Sequence, residues 1–153
     1  METTRRELLA VVLQVGATLA ALGLLPESAQ AAWAAAAFSA RSEAEALTAL
    51  GLAVPALSAD VTLTGPEIAE DGAAVPLALA CSAPGVKRLL LLVHKNPYPL
   101  AAAFDVSESV EPAFSIRVKM SESSPVTAVA VIADGRVLYA RKDIKVTLGG
   151  CGE

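Results

Sequence analysis

An all-β fold is predicted by three features of the 153-residue sequence. The expected form is an immunoglobulin-like antiparallel sandwich, preceded by an N-terminal helix and a cleaved signal peptide. First, seven or eight apolar runs of strand length follow Pro55, with turn residues every ~8–12 residues. Second, two of these runs, 114–120 and 144–148, alternate apolar and polar residues, the period of a strand with one wet face. Third, the stretch with a helical period, 32–52, precedes them all. At ~150 residues per domain the length suits one such domain.

Residues 1–31 read as an address. Arg5 and Arg6 open it, a weakly hydrophobic run covers 8–25, and Ala29-Gln30-Ala31 is a small-x-small cleavage site. The arginine pair ahead of Leu8 and Leu9 points to the twin-arginine route. Pro26 and Glu27 follow the run without a Lys/Arg flank, so it is read as a signal rather than a membrane anchor. Export puts residues 32–153 in a bacterial periplasm, where disulfides are permitted, with no membrane attachment after cleavage.

The next unit, 32–55, is a helix and linker. Trp33, Ala36, Ala37, Ala40, Ala44, Leu47 and Leu50 recur at three- and four-residue spacing, and Gly51 with Pro55 can end the helix. The sandwich is expected over 56–148. Val61 and Leu63 start it, and Gly65-Pro66 and Asp71-Gly72 are turns. Residues 75–81 form a second strand, with Pro76 suggesting an edge or a strand start. Residues 86–93 are almost continuously apolar, as in a strand buried on both faces. Asn96-Pro97-Tyr98-Pro99 breaks the chain, and strands follow at 101–106 and 114–120. Residues 126–133 and 136–141 flank Asp134-Gly135, a two-residue hairpin signal, and a last strand ends at Leu148.

Composition narrows the chemistry. Apolar residues are 54% and charged residues 18%, which excludes a disordered chain. A net charge of −4 with no Lys/Arg cluster gives no footprint for nucleic acid. One His and two Cys cannot build a closed zinc site by themselves. No catalytic and no metal-ligating set is assigned. His94 is read as a solvent histidine at a strand end. Glu67, Glu70 and Asp71 are read as a solvated turn, and Tyr98 either as part of a rigid loop or as a contact presented to a partner.

What remains is the segment 149–153, Gly149-Gly150-Cys151-Gly152-Glu153. Glycines bury little surface and cost entropy to order, so this tail is predicted to be a flexible arm with an exposed thiol. From Leu148 such an arm reaches ~10 Å, enough to post Cys151 into another protein's pocket. Cys81, flanked by Ala78, Leu79 and Ala80, is read as a buried apolar residue, with a parking Cys81–Cys151 disulfide as the alternative.

These residues resemble the SoxY family of periplasmic sulfur-oxidation systems. The resemblance is carried by residues 65–72 with Val75-Pro76, by 96–99 with Phe104, by 128–130 with Asp134-Gly135, and by 146–152. It implies a covalent sulfur carrier, not an enzyme, with Cys151 as the attachment site, Gly149, Gly150 and Gly152 as its arm, and no cofactor of its own. It also implies a SoxZ-like second sandwich subunit and haem, manganese and molybdenum enzymes as partners. The haem enzyme joins thiosulfate oxidatively to the cysteine, and the manganese hydrolase releases sulfate. A sulfur dehydrogenase, where present, oxidises the sulfane sulfur left behind. Two departures stand out: Glu153 replaces the family's usual glycine, and Cys81 is a second cysteine. Two other readings stay open, a thiol-dependent redox or persulfide-reactive enzyme and a non-catalytic binding sandwich. The apolar strand 89–93 and the helix stripe are expected to exceed what the sandwich can bury and so to meet the partner subunit.

Overall fold

The computed structural model describes residues 35–147. The signal peptide with Arg5 and Arg6, Trp33, and the segment with Gly149, Gly150, Cys151 and Gly152 lie outside the described residues. No helix among the described residues is long and apolar enough to cross a membrane.

The expected single helix over 32–52 is two pieces. Residues 35–38 are helical, and α1 spans Glu43–Ala49. Ser39 donates its hydroxyl back to the carbonyls of Ala35 and Ala36 at 3.0 and 3.1 Å, which competes with continuing the helix. A new N-terminus then forms. The Ser42 hydroxyl accepts from the Glu45 N–H at 3.2 Å, and the Glu45 carboxylate accepts from the Arg41 N–H at 2.8 Å. This is a capping box shifted by one residue. At the far end the Gly51 N–H bonds Thr48 O at 2.9 Å and the Leu52 N–H bonds Leu47 O at 3.0 Å. Gly51 sits at φ 65°, where a Cβ is costly, so this Schellman turn selects glycine.

Among the described residues nine strands make two sheets. They are β1 (Ala56–Leu57), β2 (Val61–Thr64), β3 (Ile68–Ala69), β4 (Val75–Cys81), β5 (Val86–Val93), β6 (Leu100–Asp105), β7 (Ala113–Val118), β8 (Ser124–Ile132) and β9 (Val137–Val146). The larger sheet runs β1-β9-β8-β5-β6, with β3 also on β9, and the smaller runs β2-β4-β7. The expected sandwich-type fold is present, but it is not wholly antiparallel. β1 and β3 pair in parallel with β9, at Leu138 and Tyr139 and at Lys145 and Val146.

Alternation along β5 explains its unbroken apolar run. Leu89, Leu91 and Val93 face the smaller sheet and pack with Leu77, Leu79, Val126, Ala128 and Ile144. Leu90 and Leu92 face the other way, against Ala37, Ala40, Ala46, Leu47 and Leu50. All five residues from 89 to 93 are fully buried. The strand and the described helix stripe therefore cover one another within this chain. That corrects the expectation that they are surplus surface for a partner.

Two local readings also change, and a third is settled between its alternatives. Pro76 marks a strand start, as the second residue of β4, rather than an edge, since β4 is the central strand of its sheet. It is tolerated because β2 stops at Thr64, opposite Ala78, so Pro76 is paired on the β7 side only. The β8–β9 connection is residues 133–136, four between the strand ends rather than two. The Ile132 N–H bonds Arg136 O, and the Gly135 N–H bonds Ile132 O, with Gly135 at φ 91° as the bulge residue. The two predicted strands after that turn are one, because the nine-residue β8 pairs β9 as far as Ile144 and holds Lys142 and Asp143 in the ladder.

Candidate functional site

The structure describes the chain up to Thr147, four residues before Cys151. The last strand is fastened on both flanks. On one side the Lys145 N–H bonds Glu67 O at 2.9 Å and the Thr147 N–H bonds Ala69 O at 3.0 Å. The Thr147 hydroxyl adds contacts to Ala69 O and Glu70 O at 3.4 and 3.3 Å. On the other side the Val146 N–H bonds the Ser123 hydroxyl oxygen at 2.9 Å. So β3, only two residues long and without a strand-like pattern, acts as a clasp on the end of β9. Gly65 lets the chain turn into that clasp. A Cβ there would lie 2.5 Å from Leu77 Cδ2 and 3.5 Å from Ile144 Cδ1, both in the packed core.

Around Thr147 the clasp exposes Glu67, Ile68, Glu70 and Asp71, and the opposite flank exposes Glu122. Ile68 is 57% exposed although its backbone is held in the β3–β9 pair. Asp71 caps its own turn, accepting from the Ala73 N–H at 2.7 Å. Among the described residues no group of His, Cys, Asp and Glu is placed to hold a metal ion.

Cys81 is the last residue of β4 and is 5% exposed. Burial pushes its thiol pKa up, and Asp60 pushes the same way. A backbone hydrogen bond to Ala83 and the Arg136 charge oppose the rise. Such a thiol is a poor nucleophile near neutrality. Cys81 pairs with Val61, and Val61 bonds back to Ser58, whose N–H meets Tyr139 O, so Cys81 lies toward the Tyr139 end of β9 rather than the Thr147 end. Its burial also disfavours the parking disulfide.

His94 is not the solvent histidine expected. Its Nε2 lies 2.7 Å from the hydroxyl of Thr127, which is fully buried, and 3.4 Å from Glu43 Oε2. Arg141 donates from Nε to the same Thr127 oxygen at 3.0 Å and from Nη2 to Glu43 at 3.0 Å. With Arg141 donating to it, Thr127 is free to donate its own proton to a neutral His94 nitrogen. This network ties the first turn of α1 to β8 and β9, so it is structural. Sequence reasoning missed it because its members are 43, 94, 127 and 141, brought together only by the ladder.

Burial lowers the His94 pKa. Glu43 opposes the shift, Arg141 adds to it, and Asp143 opposes it. The fold thus prefers the neutral ring, and the unfolded chain binds the proton more readily. Stability from this site is complete above the unfolded value of ~6.5 and is lost as pH falls below it. In urea unfolding at about pH 7 and pH 5, His94→Gln is expected to show a smaller acid loss of midpoint than the parent. An equal loss in both would remove His94 from the account. Tyr98 is half exposed, with the Arg41 guanidinium 4.6 Å over its ring.

Comparison with known proteins adds to this geometry. The chain matches the sulfur carrier protein SoxY from Chlorobium limicola f thiosulfatophilum at 32% identity and a TM-score of 0.57, over 63% of this chain and 87% of that one. A superoxide reductase (neelaredoxin) from Ignicoccus hospitalis matches at 15% identity and a TM-score of 0.52, over 56% of this chain and 79% of that one. At that identity the likeness is one of fold alone. No curated protein sequence matches. The family model for the sulfur oxidation protein SoxY covers residues 47–151, from within α1, through both sheets and the clasped end of β9, to Cys151 itself. With most of the chain inside that match, this protein belongs to the SoxY family of sulfur oxidation proteins.

Proposed function

We propose that the chain is a periplasmic carrier that holds thiosulfate-derived sulfur on the Cys151 thiol and presents it to separate enzymes. Members of the SoxY family are carriers rather than enzymes. The observation that carries the reading is at the end of β9. The strand is fastened as far as Thr147, the family match continues through Cys151, and the other cysteine is buried. A rigid root with a short glycine-flanked extension confines where the thiol can act. The unit 149–153 is the arm, with Gly149, Gly150 and Gly152 leaving room around the sulfur.

Loading joins the Cys151 sulfur to the sulfane sulfur of thiosulfate. The thiol proton goes to water and two electrons go to a haem enzyme. Hydrolysis by a manganese enzyme then breaks the bond between the sulfane and sulfonate sulfurs, releasing sulfate and leaving a persulfide on Cys151. A molybdenum dehydrogenase is the proposed consumer of that sulfane sulfur. This chain's part is to offer and protect the thiol, without a cofactor of its own. The immunoglobulin-like character of the sandwich, twin-arginine export through Arg5 and Arg6 with cleavage after Ala31, and a SoxZ-like second subunit belong to the same proposal.

One preparation tests these points together: the native protein from the periplasm of thiosulfate-grown cells. Intact-mass and peptide analysis should find a chain starting at Ala32, a sulfur adduct on the peptide containing Cys151, and a co-eluting second subunit. An adduct on the Cys81 peptide would overturn the carrier assignment. A stable monomer with the partner gene present would overturn the subunit assignment.

A further inference from the structure

The tether is short, and that constrains what must touch the carrier body. From Thr147 to Cys151 is four residues, a span of at most ~14 Å. Thr147 itself is held to Ala69 and Glu70, so the root cannot swing away to lengthen the reach. An enzyme that engages the Cys151 sulfur below its surface spends part of that span inside its own mouth. Its rim therefore has to close on the residues around Thr147.

Those residues form a defined surface. Ile68 projects from β3 with 57% of its surface exposed. Its backbone is fixed by parallel pairing with Lys145, so little order has to be imposed on binding. Exposed carboxylates flank it: Glu67 before it, Glu70 and Asp71 after it, and Glu122 beside Ser123. The cations close by are Lys145, which pairs with Ile68 across the ladder, Lys119, next to the Met120 that bonds Gly72 O, and Lys95, already paired with Glu122 at 3.3 Å. Glu67, Glu70 and Asp71 make no ion pair among the described residues. The surface thus sets one exposed apolar side chain among unpaired carboxylates that neighbour it along the chain, beside Thr147.

Resting on the carrier reading, we propose that Ile68, set among Glu67, Glu70 and Asp71, is the docking collar through which sulfur-processing enzymes recognise this chain. The fitting partner presents an apolar notch for Ile68 and a Lys/Arg-rich rim around the mouth that admits Cys151. Unlike charges across that contact speed encounter, and the knob sets the lifetime of the complex. Recognition then sits on the rigid body, while the arm needs only to be small enough to enter.

The test uses the full chain and a soluble periplasmic extract of thiosulfate-grown cells. The readout is the initial rate of thiosulfate-dependent mass gain at Cys151. Ile68→Asp and the pair Glu67→Lys with Glu70→Lys should each slow loading about tenfold, the equivalent of roughly 1.4 kcal/mol. Raising salt from about 0.05 to about 0.3 M should slow the parent and leave the charge-reversed pair nearly unchanged. Iodoacetamide, a small neutral reagent that needs no docking, should modify Cys151 at the same rate in all of them. Glu108→Lys with Glu111→Lys, an equal charge change on the end that holds Cys81, should load like the parent. Parent-like loading by the collar variants overturns the collar while leaving the carrier intact, and so does equal slowing by the Glu108→Lys with Glu111→Lys pair. Loading of a Cys151→Ser chain by the same extract overturns the carrier reading itself.

Discussion

Cys151→Ser is expected to abolish sulfur loading altogether and to stop thiosulfate-dependent respiration in cells that rely on this chain. Serine keeps the size of the side chain and its backbone, so folding and export should be unaffected. It removes the one atom that can form and later release a sulfur–sulfur bond. The loss is qualitative rather than graded, because no other described cysteine can substitute. Cys81 is buried, and burial raises its pKa. Cys81→Ala should therefore leave loading intact and cost at most a modest part of the stability, as expected for a small core truncation. Intact-mass measurement on both variants after exposure to thiosulfate and extract decides the matter. An adduct that persists in Cys151→Ser, or disappears in Cys81→Ala, reverses the assignment.

Leu90→Ala should cost the isolated chain about 2–5 kcal/mol of folding free energy. Leu90 is fully buried on the face of β5 that meets α1, with Leu92, Leu100, Val129 and Val137 beside it. Truncation removes contacts from β5 and from the helical cover together, in a layer where collapse is resisted by the ladder on either side. Against a typical total of ~5–15 kcal/mol, that is a large fraction. Urea unfolding of the purified chain, with no partner present, measures it. A loss below about 1 kcal/mol would mean that this face is not packed by the chain's own helices and is held for another subunit instead.

The contrast between those two substitutions follows the division of the molecule. Much of the fold was legible in advance. The bounds of β4 and β5 coincide with the runs 75–81 and 86–93, because period and turn residues are local properties of the chain. The half-solvated β7 was legible for the same reason. The split of the helix was legible in principle, since Ser42 and Glu45 spell a capping box, but an alanine-rich stripe running through it gave the stronger signal.

Other features had no local signature. β1 and β3 are two residues each and exist only because β9 offers an edge to them. Pro76 reads as an edge or a strand start, and only the early end of β2 shows how the start of a central strand accepts it. His94 carries nothing around it in sequence that foretells Thr127, Glu43 and Arg141. Ile68 looks like one more apolar residue until the clasp turns its side chain outward.

By itself the sequence determined the strand pattern, the family motifs and a cysteine set among glycines near the end of the last strand. Each is a property of residue type and spacing along the chain, and each survives any arrangement in space. The tertiary structure alone decided that both apolar faces of β5 are consumed internally and that Cys81 is buried. It also decided that β9 is clasped as far as Thr147, beside an exposed Ile68. Those are facts about which distant residues become neighbours. They follow from pairing register and the direction each side chain takes across a ladder, and a one-residue slip would reverse them.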